Sequence, residues 1–290
     1  MPGVWDLSFS GMSTPLDAGT VLIAGACADL GRQIARQLSR RARTLVLLAQ
    51  EVSQLEALRE ELEALNPTLG VVLLPCDISQ PSQVDAVLEE LTRHLIAVDV
   101  LVNASAVAEP GPFAQQRWAA VDRMLQANVV APLLLMHRLL GPMLARKRGG
   151  VLHIGSGAAQ LFLSGAAIPV GTHRCLDGFL ESLRLEVEGT GVIITQAIMG
   201  PIQEREGEAG EGTQAFFEIS VEQCAREALA GFERRQPLVY PGLGHHWVMT
   251  LLPLLPRLVR RVLGRLAARS VQPAPVVAVS PLLSGEPAPV

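Results

Sequence analysis

Charge, aromatic rings and lysine are scarce in this sequence. Charged residues make up 18% and aromatic residues 4% of its 290 residues, and it has one tyrosine, Tyr240, and one lysine, Lys147. A net charge of −4 argues against a nucleic-acid partner, because phosphate recognition needs basic charge concentrated over most of a domain. Only the C-terminal arm is locally basic. The four cysteines, Cys27, Cys76, Cys175 and Cys224, lack metal-ligand spacing, and they read as reduced, buried thiols of a cytoplasmic protein. Met1 to Gly19 has no basic flank followed by an apolar run, so neither a signal peptide nor a transmembrane start is expected there. Pro253, Pro256 and Arg257 interrupt the best candidate for the ~18 apolar residues that a bilayer crossing needs. The expectation is a soluble protein or one bound at a membrane surface.

What is present is apolar and periodic. Hydrophobic residues make up 49% of the chain, enough for a large single core. Thr20 to Ala26 is a short apolar run ending in small residues, which predicts a strand buried on both faces. A helix is predicted from about Leu30 to Arg40. The alternation repeats as strand Thr44 to Ala49, helix Val52 to Leu65, strand Val71 to Cys76, helix Pro81 to Leu95 and strand Val98 to Asn103. It continues with a long helical stretch from about Gln115 to Arg146, strand Val151 to Ile154, helix Gly171 to Glu188, strand Val192 to Ile198 and an edge strand at Leu238 to Tyr240. Such a β-α alternation predicts a doubly wound parallel sheet of the Rossmann-like α/β class, with its ligand crevice at the carboxyl ends of the strands. The expected divisions are an arm over 1–19, the domain over 20–244, a basic amphipathic helical extension over 245–270 and a disordered tail over 271–290. Gln203 to Glu218, rich in Glu and Gly, reads as a mobile loop over the crevice.

At the first strand-to-helix turn stands Ala24-Gly25-Ala26-Cys27-Ala28-Asp29-Leu30-Gly31. The turn resembles the dinucleotide motif of the short-chain dehydrogenase/reductase family, Thr-Gly-x-x-x-Gly-x-Gly, with Asp29 at the middle glycine. The resemblance runs from about Val21 to Tyr240 and implies an NAD(P)-binding oxidoreductase fold. A middle glycine lets backbone N–H groups approach a pyrophosphate. A carboxylate ~5 Å from a phosphate at an effective dielectric of ~20 costs about 3 kcal/mol, so NAD or NADP is expected to bind weakly or not at all. Asp29 reads as a helix cap or as a residual cofactor contact. Gln50, where the family selects its ribose, chooses neither NAD nor NADP. Asp77 and Asn103 match the adenine end, and each also reads as a cap or turn residue.

In the catalytic region, Ser156 stands where the family has its serine and Asn128 where it has its structural asparagine. The Tyr-x-x-x-Lys pair falls on Pro169 and His173. Tyr240 and Lys147 are in the wrong order and too far apart to replace it. Met199-Gly200-Pro201 resembles the turn beside the nicotinamide, with Glu204 replacing a threonine. Ser156, His173 and Asp177 could form a serine-nucleophile constellation; otherwise Asp177 is an ordinary exposed helix residue. These departures favour a binding, scaffold or regulatory subunit, pairing with itself or with an active relative. The alternative is an NAD(P)-dependent oxidoreductase acting on a carbonyl or alcohol, with Ser156, His173 or water replacing the tyrosine. No metal is expected, and His245-His246 reads as a surface pair. The extension carries Leu255, Val259, Val262, Leu263 and Leu266 opposite Arg257, Arg261 and Arg265, with Trp247 near its start. It reads as a face packed on the protein's own core or a second subunit, or as one docked on an anionic membrane.

Overall fold

The structure is a computed structural model that describes residues 14–200 and 219–270. Seven parallel strands form one sheet in the order β3-β2-β1-β4-β5-β6-β7. They are β1 (Thr20–Ala24), β2 (Thr44–Ala49), β3 (Gly70–Pro75), β4 (Val100–Asn103), β5 (Gly149–Ser156), β6 (Val192–Met199) and β7 (Leu238–Val239). The order reverses between β1 and β4, so the crevice predicted for a doubly wound sheet opens there. β1 and β4 are buried at every position and β6 likewise, which is why they read as mainly apolar runs, interrupted in β6 by Thr195 and Gln196, rather than as alternating ones.

Helices cover both faces. On one, α1 (Asp29–Leu38), α2 (Val52–Leu65) and α7 (Val221–Glu233) bury Ile34, Leu38, Leu55, Leu58, Leu62 and Phe232. On the other, α3 (Pro81–Arg93), α5 (Ala131–Arg146) and α6 (Ala167–Glu186) bury Val84, Leu91, Leu135, Met136, Met143 and Leu180. The predicted long helix is α4 (Trp118–Leu125) joined to α5 by a π-helical turn, Gln126–Val130. Trp118–Arg146 passes the length and hydropathy test for a bilayer span, contrary to expectation, but Val121, Met124, Leu135 and Met143 sit in the protein interior. α6 begins at Ala167, four residues before the predicted start, because a proline third in a helix has no N–H that the first turn would have used.

Two predicted boundaries move. Leu16 is fully buried in the core, and Arg41 binds both Asp17 and Glu233, so the domain already includes the end of the supposed arm. The helical extension is not one element: α8 (Leu243–Leu251) and α9 (Arg257–Ser270) flank a short 3-10 turn, Leu252–Leu254. Within it His245, Met249 and Leu252 are buried, so the body does not end at 244. The predicted loop over 203–218 and the tail over 271–290 lie outside the described residues. Of the cysteines, Cys76 and Cys224 are buried as expected, whereas Cys27 is partly exposed and Cys175 exposed.

Gly31 sits where a Cβ would lie 2.1 Å from the Gly25 carbonyl oxygen, and a Cβ on Gly178 in α6 would meet open space. Gly31→Ala is therefore expected to destabilise by about 2 kcal/mol or more. Gly178→Ala should stabilise by about 0.5–1 kcal/mol, by restricting the unfolded chain and favouring helix. Urea unfolding of both variants checks the pair; equal midpoints would mean the turn has slack that the geometry does not show.

Candidate active site

The turn after β1 is held by its two glycines. Gly25 has φ +81°, and a Cβ there would lie 2.8 Å from the Ser105 backbone nitrogen. Its N–H and that of Ala26 both donate to the Leu48 carbonyl, at 3.0 Å. α1 then starts with Asp29, preceded by the N-cap Ala28, which offers no side-chain hydrogen bond. Asp29 is exposed and does not cap the helix: it is already the first helical residue, one place too late for its carboxylate to fold back as a cap does. The first intrahelical donor is Arg32, to the Ala28 carbonyl at 2.8 Å. Among the described residues the N–H groups of Asp29, Leu30 and Gly31 meet no side-chain acceptor, and they form the anion-binding end of the helix dipole.

The ribose and adenine positions are mixed. Gln50 is exposed just past β2. Asp77 uses Oδ1 to accept from the Ser79 N–H at 2.9 Å and the Ser79 hydroxyl at 2.7 Å, a turn that leads into α3. Asn103 is fully buried; its Nδ2 lies 3.1 Å from His153 Nδ1, and its Oδ1 accepts from the Ser105 hydroxyl. Of the two readings left open for Asp77 and Asn103, the local turn and sheet contacts are the ones their side chains make.

Ser156 closes β5 opposite Met199 of β6, partly buried. Pro169 lies in the first turn of α6, where its carbonyl accepts from the Thr172 hydroxyl at 2.9 Å. His173 is one turn further on and partly buried. Burial lowers its pKa below 6.5, with the Asp177 carboxylate pulling the other way, so at neutral pH the ring is largely uncharged. No hydrogen bond joins it to Ser156. Asp177 is not an exposed helix residue: it accepts from Gln196 Nε2 at 2.6 Å and Gln160 Nε2 at 3.3 Å, and so faces β6 rather than the imidazole. The serine-nucleophile constellation is not assembled. Asn128, in the π-helical turn, spends its amide on both backbone groups of Val107 at 2.7 Å and on the Thr172 hydroxyl at 3.3 Å. That makes it a positioning residue that ties the loop after β4 to the start of α6.

The lone lysine stands apart from this site, whereas the lone tyrosine has its ring centroid 6.2 Å from that of His245. Burial, then the Asp177 and Glu181 carboxylates, raise the Tyr240 pKa, the wrong direction for a phenol that must ionise in catalysis. Lys147 caps α5 beside the start of β5, at the opposite end of the strands from Ser156. Gly200 packs against an unexpected neighbour. His245, 3% exposed, bonds the Ile198 carbonyl through Nε2 at 3.0 Å, and a Cβ on Gly200 or Gly157 would lie 2.7 Å from its ring. The expected surface pair is thus half interior, since successive helix residues point about 100° apart: His246 is exposed and His245 fills the gap between the turns after β5 and β6.

A row of polar side chains crosses the sheet beneath α6, for which the only signal was a histidine and a glutamine inside apolar strand runs. Asn103, His153 and Gln196 stand in register on β4, β5 and β6. His153 is buried, and its Nε2 has no hydrogen-bond partner among the described residues. Burial, then His173 and Arg184, lower its pKa to about 3, so the ring is neutral.

Residues 19–209 match the family model for short chain dehydrogenase, about two thirds of the chain and the whole stretch from β1 past β6. The chain belongs to the short-chain dehydrogenase family. Among curated relatives, it is 32% identical to an uncharacterized oxidoreductase of Myxococcus xanthus over 61% of this chain and 69% of the relative. It is 27% identical to the ketoacyl reductase HetN of Nostoc over 66% of each chain. Among solved structures, a short-chain dehydrogenase from Sphingobium yanoikuyae in complex with NADPH superimposes with a TM-score of 0.69. That match has 27% identity and covers 77% of this chain and 88% of that one.

The family implies NAD(P), and the residues fit it in part. The glycine turn and the uncapped N–H groups of α1 suit a pyrophosphate, and the Asp29 charge opposes it. Because Asp29 is exposed, solvent screens that repulsion below the buried-site estimate, and Asp29→Gly is expected to tighten NAD(P)H binding about five- to a hundredfold. Fluorescence titration of both proteins checks this; unchanged or weaker binding would clear the carboxylate as the obstacle.

His153 sets a second expectation. Its folded pKa of about 3 lies below the ordinary 6.5. Its contribution to stability is therefore present above pH 6.5 and is lost as the pH falls towards 3, by about 1.4 kcal/mol per unit. Between pH 7 and 5, the Tm of the native chain should fall more steeply than that of His153→Gln. Parallel pH profiles would show that the ring is not held neutral.

Proposed function

We propose that this chain is an NAD(P)-linked oxidoreductase acting on a carbonyl or alcohol substrate through a proton-transfer group other than tyrosine. The observation that carries the reading is the open N-terminus of α1 behind a turn that keeps Gly25 and Gly31. Gly25 and Gly31 are needed for folding, but N–H groups left without a side-chain acceptor suit an anion. Reductase and oxidoreductase relatives support the same class. When bound, the nicotinamide would supply or accept the hydride.

The chain must then move a proton at the substrate oxygen. Ser156 offers a hydroxyl at the end of β5, and His173 is the nearest ionisable group to the lost tyrosine on α6. A largely neutral imidazole accepts a proton better than it gives one. The favoured direction is therefore alcohol oxidation, with carbonyl reduction slowed by roughly 10²–10⁴ relative to a tyrosine acid. A second reading, a cofactor-independent binding subunit, is favoured by Pro169 and by the Asp29 charge.

Calorimetric titration with NADH and NADPH, followed by turnover on a panel of secondary alcohols, separates the two. The expected result is micromolar to submillimolar binding, with an oxidation rate that holds through neutral pH and declines only below the ordinary histidine range, where His173 protonates. His173→Asn should remove most of it. No heat from either cofactor at millimolar concentration would leave the binding subunit as the reading.

A further inference from the structure

We propose that the outward faces of α8 and α9 form a docking surface for a lipid bilayer bearing anionic headgroups. The proposal is independent of the oxidoreductase reading, since it involves neither Ser156 nor the α1 turn.

α9 meets the body along one side only. A Cβ on Gly264 would lie 2.5 Å from the Phe162 carbonyl oxygen, and the Arg260 guanidinium lies over the Phe162 ring at 5.6 Å from its centroid. At about 100° per residue, Leu258, Val259, Val262 and Leu263 lie roughly opposite Gly264. All four are exposed, Leu258 at 72%. The helix thus presents its apolar stripe to solvent and its glycine to the protein, the reverse of a helix packed on its own core. α8 repeats the arrangement: His245 and Met249 point inward, while Leu243, Trp247 and Leu251 at four-residue spacing point outward, with Leu243 81% and Trp247 63% exposed. Leu254 in the connecting turn is 78% exposed. The apolar residues form a continuous series along the chain, not the scattered single exposures normal for a surface.

Charge selects the occupant. At the same 100° per residue, Arg261 and Arg265 border the stripe on its Leu258 side, while Arg257 and Arg260 lie nearer the Gly264 side, and no Asp or Glu occurs from Tyr240 to Ser270 in a chain whose net charge is −4. None of the four forms an ion pair among the described residues. Two copies meeting face to face would set arginine against arginine. An anionic lipid surface instead accepts the cations at the headgroups and the leucines beneath them, with Trp247 suited to the boundary. Arg261 and Arg265 also line a groove of about 340 Å³ with Phe162, Leu163 and Val170, so the stripe and the basic flank share one end of the molecule with the loop after β5.

The test is co-sedimentation of the full chain with phosphatidylglycerol-containing and pure phosphatidylcholine vesicles, at low and physiological salt. Alongside run Arg257→Glu/Arg261→Glu and Leu258→Ser/Val262→Ser, each checked for native Tm; all four side chains are exposed, so folding should survive. The expected result is pelleting with the anionic vesicles alone, weakened by salt and reduced roughly tenfold or more by either pair of substitutions. The chain remaining in the supernatant at low salt would overturn the proposal. So would equal binding to neutral vesicles, or a dimer in light scattering that Leu258→Ser/Val262→Ser dissociates, since the face would then belong to a second copy.

Discussion

Gly31 has no room for a methyl group. Its Cα faces the Gly25 carbonyl, Gly25 in turn lies against the Ser105 backbone with φ +81°, and this stack of bare backbone sets how closely α1 can approach the β1–β4 junction. Everything at the carboxyl end of the sheet inherits that spacing. The loop after β4 is held by Gly25 from one side and by the Asn128 amide from the other, and Asn128 passes the position on to Thr172 and the start of α6. The two glycines would be required even if no nucleotide ever bound, so their presence speaks for the fold. The middle glycine place has no such packing duty, and it is the one occupied by Asp29.

The polar row beneath α6 follows from the same economy of space. Asn103, His153 and Gln196 occupy positions that apolar residues fill elsewhere on β4, β5 and β6, and burying them without partners would cost a few kcal/mol each. Asn103 satisfies His153 Nδ1, and Gln196 is satisfied by Asp177. The carboxylate is thereby turned from His173 to the sheet. An i, i+4 spacing on a helix made an orienting role for Asp177 conceivable; a glutamine across the interface takes the carboxylate first. Ser156 and His173 are left as separate groups, on a strand end and a helix, with no hydrogen bond between them.

The parallel sheet was legible because β1, β2, β4 and β6 are buried on both faces and leave mainly apolar runs. The site's outline was legible through the same spacing, since Ser156, Pro169 and His173 fall where strand end and helix turn place them. What escaped were features that depend on one residue of register or on distant contacts. Asp29 looked like a cap and is the first helical residue, a shift of one that reverses its effect on the backbone donors. α7 was not anticipated, although Val221–Glu233 buries Cys224, Ala225, Ala228, Leu229 and Phe232 along one face, a helical periodicity that the sequence carries. His245 was assigned to the surface because its partners, Gly157 and Gly200, lie far away in sequence and offer only an absence of side chain.

A proline at position 169 costs the fold little. The first turn of an α-helix is the one helical place where proline removes no hydrogen bond, and the turn is anchored independently by Thr172 through its contacts with Pro169 and Asn128. The side chain at this position is therefore felt little by the sheet, the helix and their shared core. The histidine one turn on is not free in the same way. It lies close enough to the buried His153 ring to disfavour charge there, while its own protonation is opposed by burial and favoured by the Asp177 carboxylate. A change of charge at His173 would therefore be felt at a ring of the sheet that the core holds neutral.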